Sequence, residues 1–287
     1  PYTPWNDPTV TPSYLSGATT TDLKESRTDT YTHTTQLFAN YDIDLGRNGD
    51  HHLSVMAGVE DYYKHYEDIY ASRDQFKISY YPYLSMGSTE LMGAGVNNSP
   101  YENAYVSVFG RVNYNYKSKY YAQANFRYDG SGRFKKGNRW GFFPSVSAGW
   151  VLTQEKFMEG ARNVLSFLKL RASYGQLGND RIGNYPYQST LSSNDPVGFV
   201  GSSSLVQALQ GFSAYQMVLD DITWETTETY DVGIDVNFLN DRLRITADYY
   251  KKTTRDMLIL VDIPSYLGYT APYKNSGDMN TKGWDLS

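Results

Sequence analysis

The feature that most constrains this chain is a regular alternation of apolar and polar residues, repeated in several long runs. Alternation with a period of two places successive side chains on opposite faces of a β-strand. In the run 104–116, one face carries Val106, Val108, Val112 and Tyr114, and the other carries Ser107, Arg111, Asn113 and Asn115. Similar runs lie at 28–45, 52–70, 122–129, 145–152, 168–174, 231–238 and 243–252, and a further one starts near Lys282. The pattern predicts eight antiparallel strands and part of a ninth.

Two all-β architectures use alternating strands, the sandwich of two packed sheets and the transmembrane barrel. Many of these runs reach about ten residues, whereas a sandwich strand has about five or six. The chain contains 28 Tyr, 12 Phe and 5 Trp, and many of these aromatics lie near strand ends, as do Tyr120 and Trp150. Aromatic girdles occupy the same place in membrane barrels. We therefore predict an antiparallel transmembrane β-barrel with its apolar face outward.

The connections between the predicted strands alternate in length. Short links are predicted at Gly46–His51, Lys117–Lys119 and Leu239–Arg242, with a medium link at Thr153–Ser166. Long segments lie between, at 71–103, 130–143, 175–223 and 256–280. Short turns at one end and long loops at the other are typical of outer-membrane barrels, whose long loops are extracellular.

The stretch FRYDGSGRFKKGNRWGFFPSVSAGW, residues 126–150, shows where charged residues are placed in such a barrel. Phe126 and Tyr128 are predicted to face lipid, while Arg127 and Asp129 face the lumen. The basic loop at 130–139 then emerges into water, where its charges cost little, whereas Arg or Lys facing lipid at the midplane costs about 2–4 kcal/mol.

Several other classes of function are disfavoured by composition and motifs. The net charge of −5 does not fit a nucleic-acid binder, which usually has a basic face. Without cysteine there is neither a disulfide nor a thiolate metal site. His51 and His52 lack an HExxH context, and DIDLGRNGD lacks the ligands of a calcium loop, because Gly46 and Val55 replace two of them. We expect no metal, no cofactor and no enzyme activity, although an outer-membrane protease or lipase built from scattered strands stays open.

Several long motifs carry a resemblance to a known family. FRYDGSGRF, NRWGFFPSVSAGW, LKLRASYGQLGN, IGNYPY, WETTETYDVGIDVNFLNDRLRITADYYKKTTRDML and NSGDMNTKGWDL occur in this order. The chain, over nearly all of residues 28–287, thereby resembles the SusC/RagA-type TonB-dependent outer-membrane transporters. The resemblance implies a 22-stranded barrel, of which residues 1–287 are a partial barrel domain. An N-terminal plug and a TonB box are expected outside this chain.

The same resemblance implies the partners and the function. It implies energy-dependent import of a bulky nutrient, an oligosaccharide or an oligopeptide, across the bacterial outer membrane. The expected partners are a SusD-like surface lipoprotein, the TonB–ExbB–ExbD complex acting through the plug, and outer-membrane lipid, with no nucleic acid. Two alternatives stay open, a surface binding or adhesion barrel and a small passive porin.

Two groups of residues are candidates for contact with the transported substrate. Charged residues on the polar faces are predicted to line the lumen, namely Arg111, Arg127, Arg171, Asp235, Arg244 and Asp248. Aromatic residues of the long loops can stack on sugar rings or peptide side chains, and the candidates are Tyr81, Tyr83, Tyr185, Tyr187, Tyr266 and Tyr269. For each tyrosine the alternative is that it packs the loops together or contacts the lipoprotein.

Overall fold

The computed structural model describes residues 22–46, 49–76, 83–88, 95–98, 100–192, 196–202, 205–214 and 216–287. Within these ranges the chain forms strands and four short 3-10 helices, at Leu84–Met86, Leu152–Gln154, Lys156–Ala161 and Ser265–Leu267. The strands are β1 (Asp22–Leu45), β2 (His51–Asp74), β3 (Gly95–Asn98), β4 (Tyr101–Tyr116), β5 (Tyr120–Ser131), β6 (Trp140–Val151), β7 (Leu165–Asn179), β8 (Leu191–Ser192), β9 (Pro196–Ser202), β10 (Leu205–Gln210), β11 (Ser213–Ala214), β12 (Glu225–Phe238), β13 (Leu243–Arg255), β14 (Leu258–Leu260), β15 (Tyr273–Asn275) and β16 (Met279–Leu286).

The long strands form one sheet in the order β1-β2-β4-β5-β6-β7-β12-β13-β16, with β3 paired to β2. Neighbours from β4 to β16 pair antiparallel. The nine strands of this order are the eight predicted strands and the ninth, so the all-β barrel prediction is confirmed. Among the described residues the order ends at β1 and β16 without pairing between them, and the sheet is open. No helix in the described ranges is long and apolar enough to span a membrane.

The chain divides into two compact units. The first is Pro1–His33 with Tyr63–Asn103, and in it the rings of Tyr66 and Tyr101 stack at 4.7 Å. The second is Thr34–Tyr62 with Ala104–Ser287, and it holds most of the sheet and the loops that connect β5 to β16.

Several strands extend beyond their apolar alternation. β2 continues to Asp74, β5 to Ser131 and β7 to Asn179, while β16 begins at Met279. The connections therefore lie at 132–139, 180–224 and 256–278, shifted from the predicted 130–143, 175–223 and 256–280. Backbone hydrogen bonds between strands do not require an apolar face, so a strand continues after the alternation ends. For the same reason His51, which was predicted to end the short link Gly46–His51, is the first residue of β2.

The short turns are built from residues with left-handed backbone conformation. Lys117 and Ser118 have φ angles of 51° and 53°, and the Lys119 amide donates to the Tyr116 carbonyl at 2.9 Å. A two-residue turn with both φ angles positive matches the twist of the strands that it joins. The Asn115 side chain accepts the Ser118 amide at 2.9 Å, which helps to hold the turn.

Candidate functional site

The strands β4, β5, β6, β7, β12 and β13, here called the barrel wall, have two chemically different faces. In β5 the apolar Ala122, Ala124, Phe126 and Tyr128 are exposed, and the polar residues between them are half-buried. A sheet that folds in water shows the opposite pattern, with its apolar face against a core. The barrel wall therefore presents its apolar face to a nonpolar solvent, as a membrane strand does.

Aromatic side chains form two bands at opposite ends of this apolar face. Near the short turns, Tyr120 stacks with Trp150 at 6.2 Å. Toward the other end, Tyr128 stacks with Trp140 at 4.8 Å. Tyr120 and Tyr128 are separated by about 26 Å along the strand, which is close to the apolar band of about 25 Å in outer-membrane barrels. The predicted aromatic girdles correspond to these two bands.

On the polar face, one arginine joins three strands. Arg171 of β7 makes a two-pronged contact with Asp235 of β12, with both donor–acceptor distances at 2.9 Å. It also donates to Asp248 of β13 at 3.2 Å. Gly233 lies in register with both Arg171 and Asp248, and a β-carbon there would overlap the Asp248 carboxylate. Glycine therefore leaves the space through which the guanidinium reaches across β12.

A second arginine is also neutralised by carboxylates. Arg127 of β5 donates to Asp129 at 3.1 Å and lies 3.6 Å from Glu60 of β2. It also donates to the Ser107 hydroxyl of β4 at 2.9 Å. The charges at Arg127 and Arg171 are thus balanced by carboxylates of the same sheet.

The two remaining predicted lumen residues differ in their surroundings. Arg111 of β4 donates to the side-chain oxygen of Asn125 at 2.9 Å. It lines a depression of about 720 Å³ on the second unit. Arg244, near the start of β13, is exposed and pairs across the ladder with Asn237. The structure thus brings Arg171, Asp235 and Asp248 together, whereas Arg111, Arg127 and Arg244 occupy separate positions.

The loops carry a buried apolar cluster that the sequence analysis did not predict. This loop hub consists of Phe134, Phe143, Ile182, Ile222 and Trp224, each at most 9% exposed. Leu219, Leu258 and Tyr273 pack against it. The loops at 132–139, 180–224 and 256–278 therefore share one core.

Hydrogen bonds reinforce the loop hub. The Trp224 indole donates to the Arg139 carbonyl at 2.8 Å, and the Thr223 hydroxyl donates to the Asn138 carbonyl at 3.1 Å. The Asn275 side chain accepts the Thr223 amide at 2.8 Å and donates to the Thr223 carbonyl at 2.9 Å. Since these groups are paired, the cluster is ordered by directional contacts as well as by burial.

Two cations of the basic loop at 132–139 bind acidic residues of the neighbouring 180–224 segment. Arg133 donates to the Asp180 carbonyl at 3.0 Å, and the Lys135 ammonium pairs with the Asp220 carboxylate. Lys136 is exposed. The loop is therefore tied to the 180–224 segment, which gives two of its cations a structural role.

The candidate loop tyrosines are mostly at the surface. Tyr83 is 64% exposed, and Tyr266 and Tyr269 are 85% and 45% exposed. Tyr185 is exposed with a φ angle of 56°, while Tyr187 is half-buried. Tyr81 lies outside the described residues. An isolated bridge between Gln216 and Thr270 brings the 180–224 segment next to Tyr269.

The neighbouring His51 and His52 each contact a different side chain. His51 Nδ1 lies 2.7 Å from the Tyr114 hydroxyl, and His52 Nδ1 lies 2.7 Å from Asp44. No group of three or more potential metal ligands occurs in the described part of the chain.

Comparisons with known proteins agree with this architecture. The family model TonB dependent receptor-like, beta-barrel matches residues 2–287. The TonB-dependent receptor P3 of Formosa agariphila is 33% identical over 241 residues, which are 83% of this chain and 23% of that receptor. The TonB-dependent receptor SusC of Bacteroides thetaiotaomicron is 35% identical over 187 residues, 64% of this chain and 18% of SusC.

The solved structure of the RagAB peptide transporter has the same fold. It superposes with a TM-score of 0.81 at 30% identity, covering 92% of this chain and 28% of that chain. This chain spans only 17–23% of the length of the curated relatives it matches. The chain belongs to the TonB-dependent receptor family, as an outer-membrane β-barrel domain of the SusC/RagA type.

Proposed function

We propose that this chain forms part of the barrel of a transporter that imports a bulky nutrient, an oligosaccharide or an oligopeptide, across the outer membrane. The observation that supports this most is the polar, charged face of the barrel wall opposite an exposed apolar face. Charged groups facing inward are of use where the interior holds water and a hydrophilic cargo. Arg111, Arg127, Arg171, Asp235, Arg244 and Asp248 are the proposed lumen residues.

An oligopeptide cargo is supported by the likeness to RagAB, which is described as a peptide transporter. An oligosaccharide is the other cargo that the proposal allows. In either case the protein would act as a transporter and not as an enzyme. The exposed Tyr83, Tyr185, Tyr266 and Tyr269 are proposed cargo contacts because aromatic faces stack on both sugar rings and side chains.

Two partners follow from this proposal. Work for import would come from the TonB–ExbB–ExbD complex acting on a plug domain, because the outer membrane itself holds no ion gradient that could drive uptake. A SusD-like lipoprotein would cover the loop side of the barrel. The loop hub supports this arrangement, since packed loops offer a defined surface to a partner.

The proposal is tested with a strain that lacks the full receptor gene. Growth on a panel of peptides and polysaccharides identifies the nutrient, and uptake of the labelled nutrient is then measured with and without a protonophore. We expect uptake in the parent strain, none in the deletion strain, and loss of uptake when the proton gradient collapses. Uptake that is unchanged by the protonophore would identify a passive porin. Binding without uptake would identify an adhesion protein.

A further inference from the structure

The arginines of the polar face differ in how their charge is balanced. Arg127 and Arg171 are each in contact with two carboxylates. Arg111 has no carboxylate within ion-pair distance in the described part of the chain, and its neighbour there is the neutral Asn125. A cation that the fold leaves unbalanced is available to an anionic ligand.

The neighbours of Arg111 hold it in one orientation. The Asn125 side-chain oxygen accepts Arg111 Nε at 2.9 Å and Gln123 Nε2 at 3.2 Å. The Asn125 amide donates in turn to the Ser145 hydroxyl at 3.0 Å. This chain of bonds uses Nε and leaves the two Nη groups of Arg111 without an acceptor among the described residues. The remaining donors form the planar edge that suits a carboxylate.

Space for such a ligand is present beside Arg111. The depression of about 720 Å³ is lined by Arg111 with Asn125, Ser145 and Gly175, and also by the paired Arg127 and Asp129. A β-carbon at Gly175 would lie 3.3 Å from the Ser145 side chain, so a larger residue there would reduce this space. Arg127 and Asp129 balance each other's charge by their ion pair. Arg111 therefore faces the depression as a cation that no carboxylate of the described residues balances.

We propose that Arg111 is a specificity residue that binds a carboxylate group of the cargo on the polar face. This inference rests on the proposed import function and names a property of its cargo, which must carry a carboxylate. An oligopeptide supplies one at its C-terminus or on Asp and Glu, and an acidic oligosaccharide supplies one on a uronic acid. The two sources share the chemistry that Arg111 recognises.

The test uses the full receptor with its partner proteins, purified for binding and expressed in cells for uptake. The probes are a tryptic digest of casein and a digest of polygalacturonate, each used as prepared and after carboxyl amidation. The variants are Arg111→Gln and Arg111→Lys, with Arg242→Gln as a control that removes an exposed charge from the turn between β12 and β13. Bound and imported species are quantified by mass spectrometry.

We expect Arg111→Gln to weaken binding of carboxylate-bearing probes by about fivefold, the order for a partly solvated charged pair, and to leave amidated probes unchanged. Arg111→Lys should retain part of the affinity, and Arg242→Gln all of it. The digest that shows the selective loss identifies the source of the carboxylate. An equal change for native and amidated probes, no change, or no binding of any acidic probe to the unmodified receptor overturns the inference. Binding that depends on Arg111 without uptake overturns the import proposal alone.

Discussion

Two neighbouring phenylalanines of β6 lie in different environments, one on the lipid-facing side of the barrel wall and the other in the buried loop hub. Phe142 is 56% exposed on the apolar face of the barrel wall, where its ring stacks on Phe126 at 6.4 Å. Phe143 points to the other face and is 8% exposed within the loop hub, packed edge-on against Trp224. In the hub apolar groups avoid water, whereas on the wall they are exposed because the surrounding solvent is lipid.

The largest change in stability is expected when Phe143, the buried member of this pair, is truncated. Phe143→Ala should destabilise the loop hub by about 3–5 kcal/mol, because it leaves a cavity and removes the contact with Trp224. Hydrogen exchange of the backbone amides in 132–139 and 220–225 of the full receptor measures the loss of protection.

Phe142→Ala is the matched control for this change. Its side chain is exposed, so the same truncation should leave exchange in these loops nearly unchanged. Equal loss of protection in the two variants would contradict the division between wall and hub.

A charge placed on the wall gives the next largest effect. Val146, near the middle of β6, is 51% exposed on the apolar face. Val146→Arg should destabilise the folded receptor in bilayers by about 2–4 kcal/mol, as arginine facing lipid does at the midplane.

Ser147→Arg places the same charge one residue later, on the polar face, and should cost much less. Urea unfolding in lipid vesicles compares the two variants. If Ser147→Arg proved the more damaging change, the assignment of the faces would be reversed.

A smaller effect is expected from the arginine that joins β7, β12 and β13. Arg171→Ala leaves Asp235 and Asp248 facing each other without a cation, which should cost about 1–2 kcal/mol. Replacing both carboxylates by Asn in the same variant should recover most of the loss. The same unfolding assay measures both, and an unchanged stability in Arg171→Ala would show that the contact contributes nothing.

The smallest effect concerns Glu155, which lies beside the short turns, outside the strands. Hydrogen bonds from the Tyr120 hydroxyl and the Trp150 indole lower the pKa of Glu155 below its usual value, and Lys119 adds to this. A lowered folded-state pKa means that the stabilisation is complete above the ordinary value and is lost as pH falls through the folded pKa.

Thermal melting of the receptor between pH 7 and pH 3 therefore compares the unmodified protein with Glu155→Gln. We expect the unmodified protein to melt higher at neutral pH and to lose this advantage in the acidic part of the range. A melting-temperature difference between the two proteins that grew on acidification would contradict the lowered pKa of Glu155.

The barrel wall could be predicted from the sequence because the alternation of apolar and polar residues is visible within each strand alone. In β5 the alternation around Phe126 and Arg127 depends only on which solvent each face meets, so a single strand suffices to predict it. The order of the nine strands followed from their sequence order and the lengths of their connections.

The loop hub could not be predicted in this way. Phe134 lies between Arg133 and Lys135 in a loop without periodicity, and its partner Trp224 comes 90 positions later. Likewise, alternation placed Arg171 and Asp235 on polar faces, but their contact depends on the register of β7 with β12, which the loop between them does not reveal.

Spin labelling tests directly whether the barrel wall has one face toward lipid and one toward water, and the absence of cysteine in this chain makes single-site labelling possible. Single cysteines at Ser145, Val146, Ser147 and Ala148 of the full receptor, with any other cysteines replaced, are spin-labelled in vesicles. Accessibility is then measured to oxygen, which concentrates in lipid, and to a water-soluble nickel chelate. We predict that positions 146 and 148 favour oxygen while 145 and 147 favour nickel. The reverse order, or no alternation, would show that the two faces of the barrel wall are not divided between lipid and water in this way.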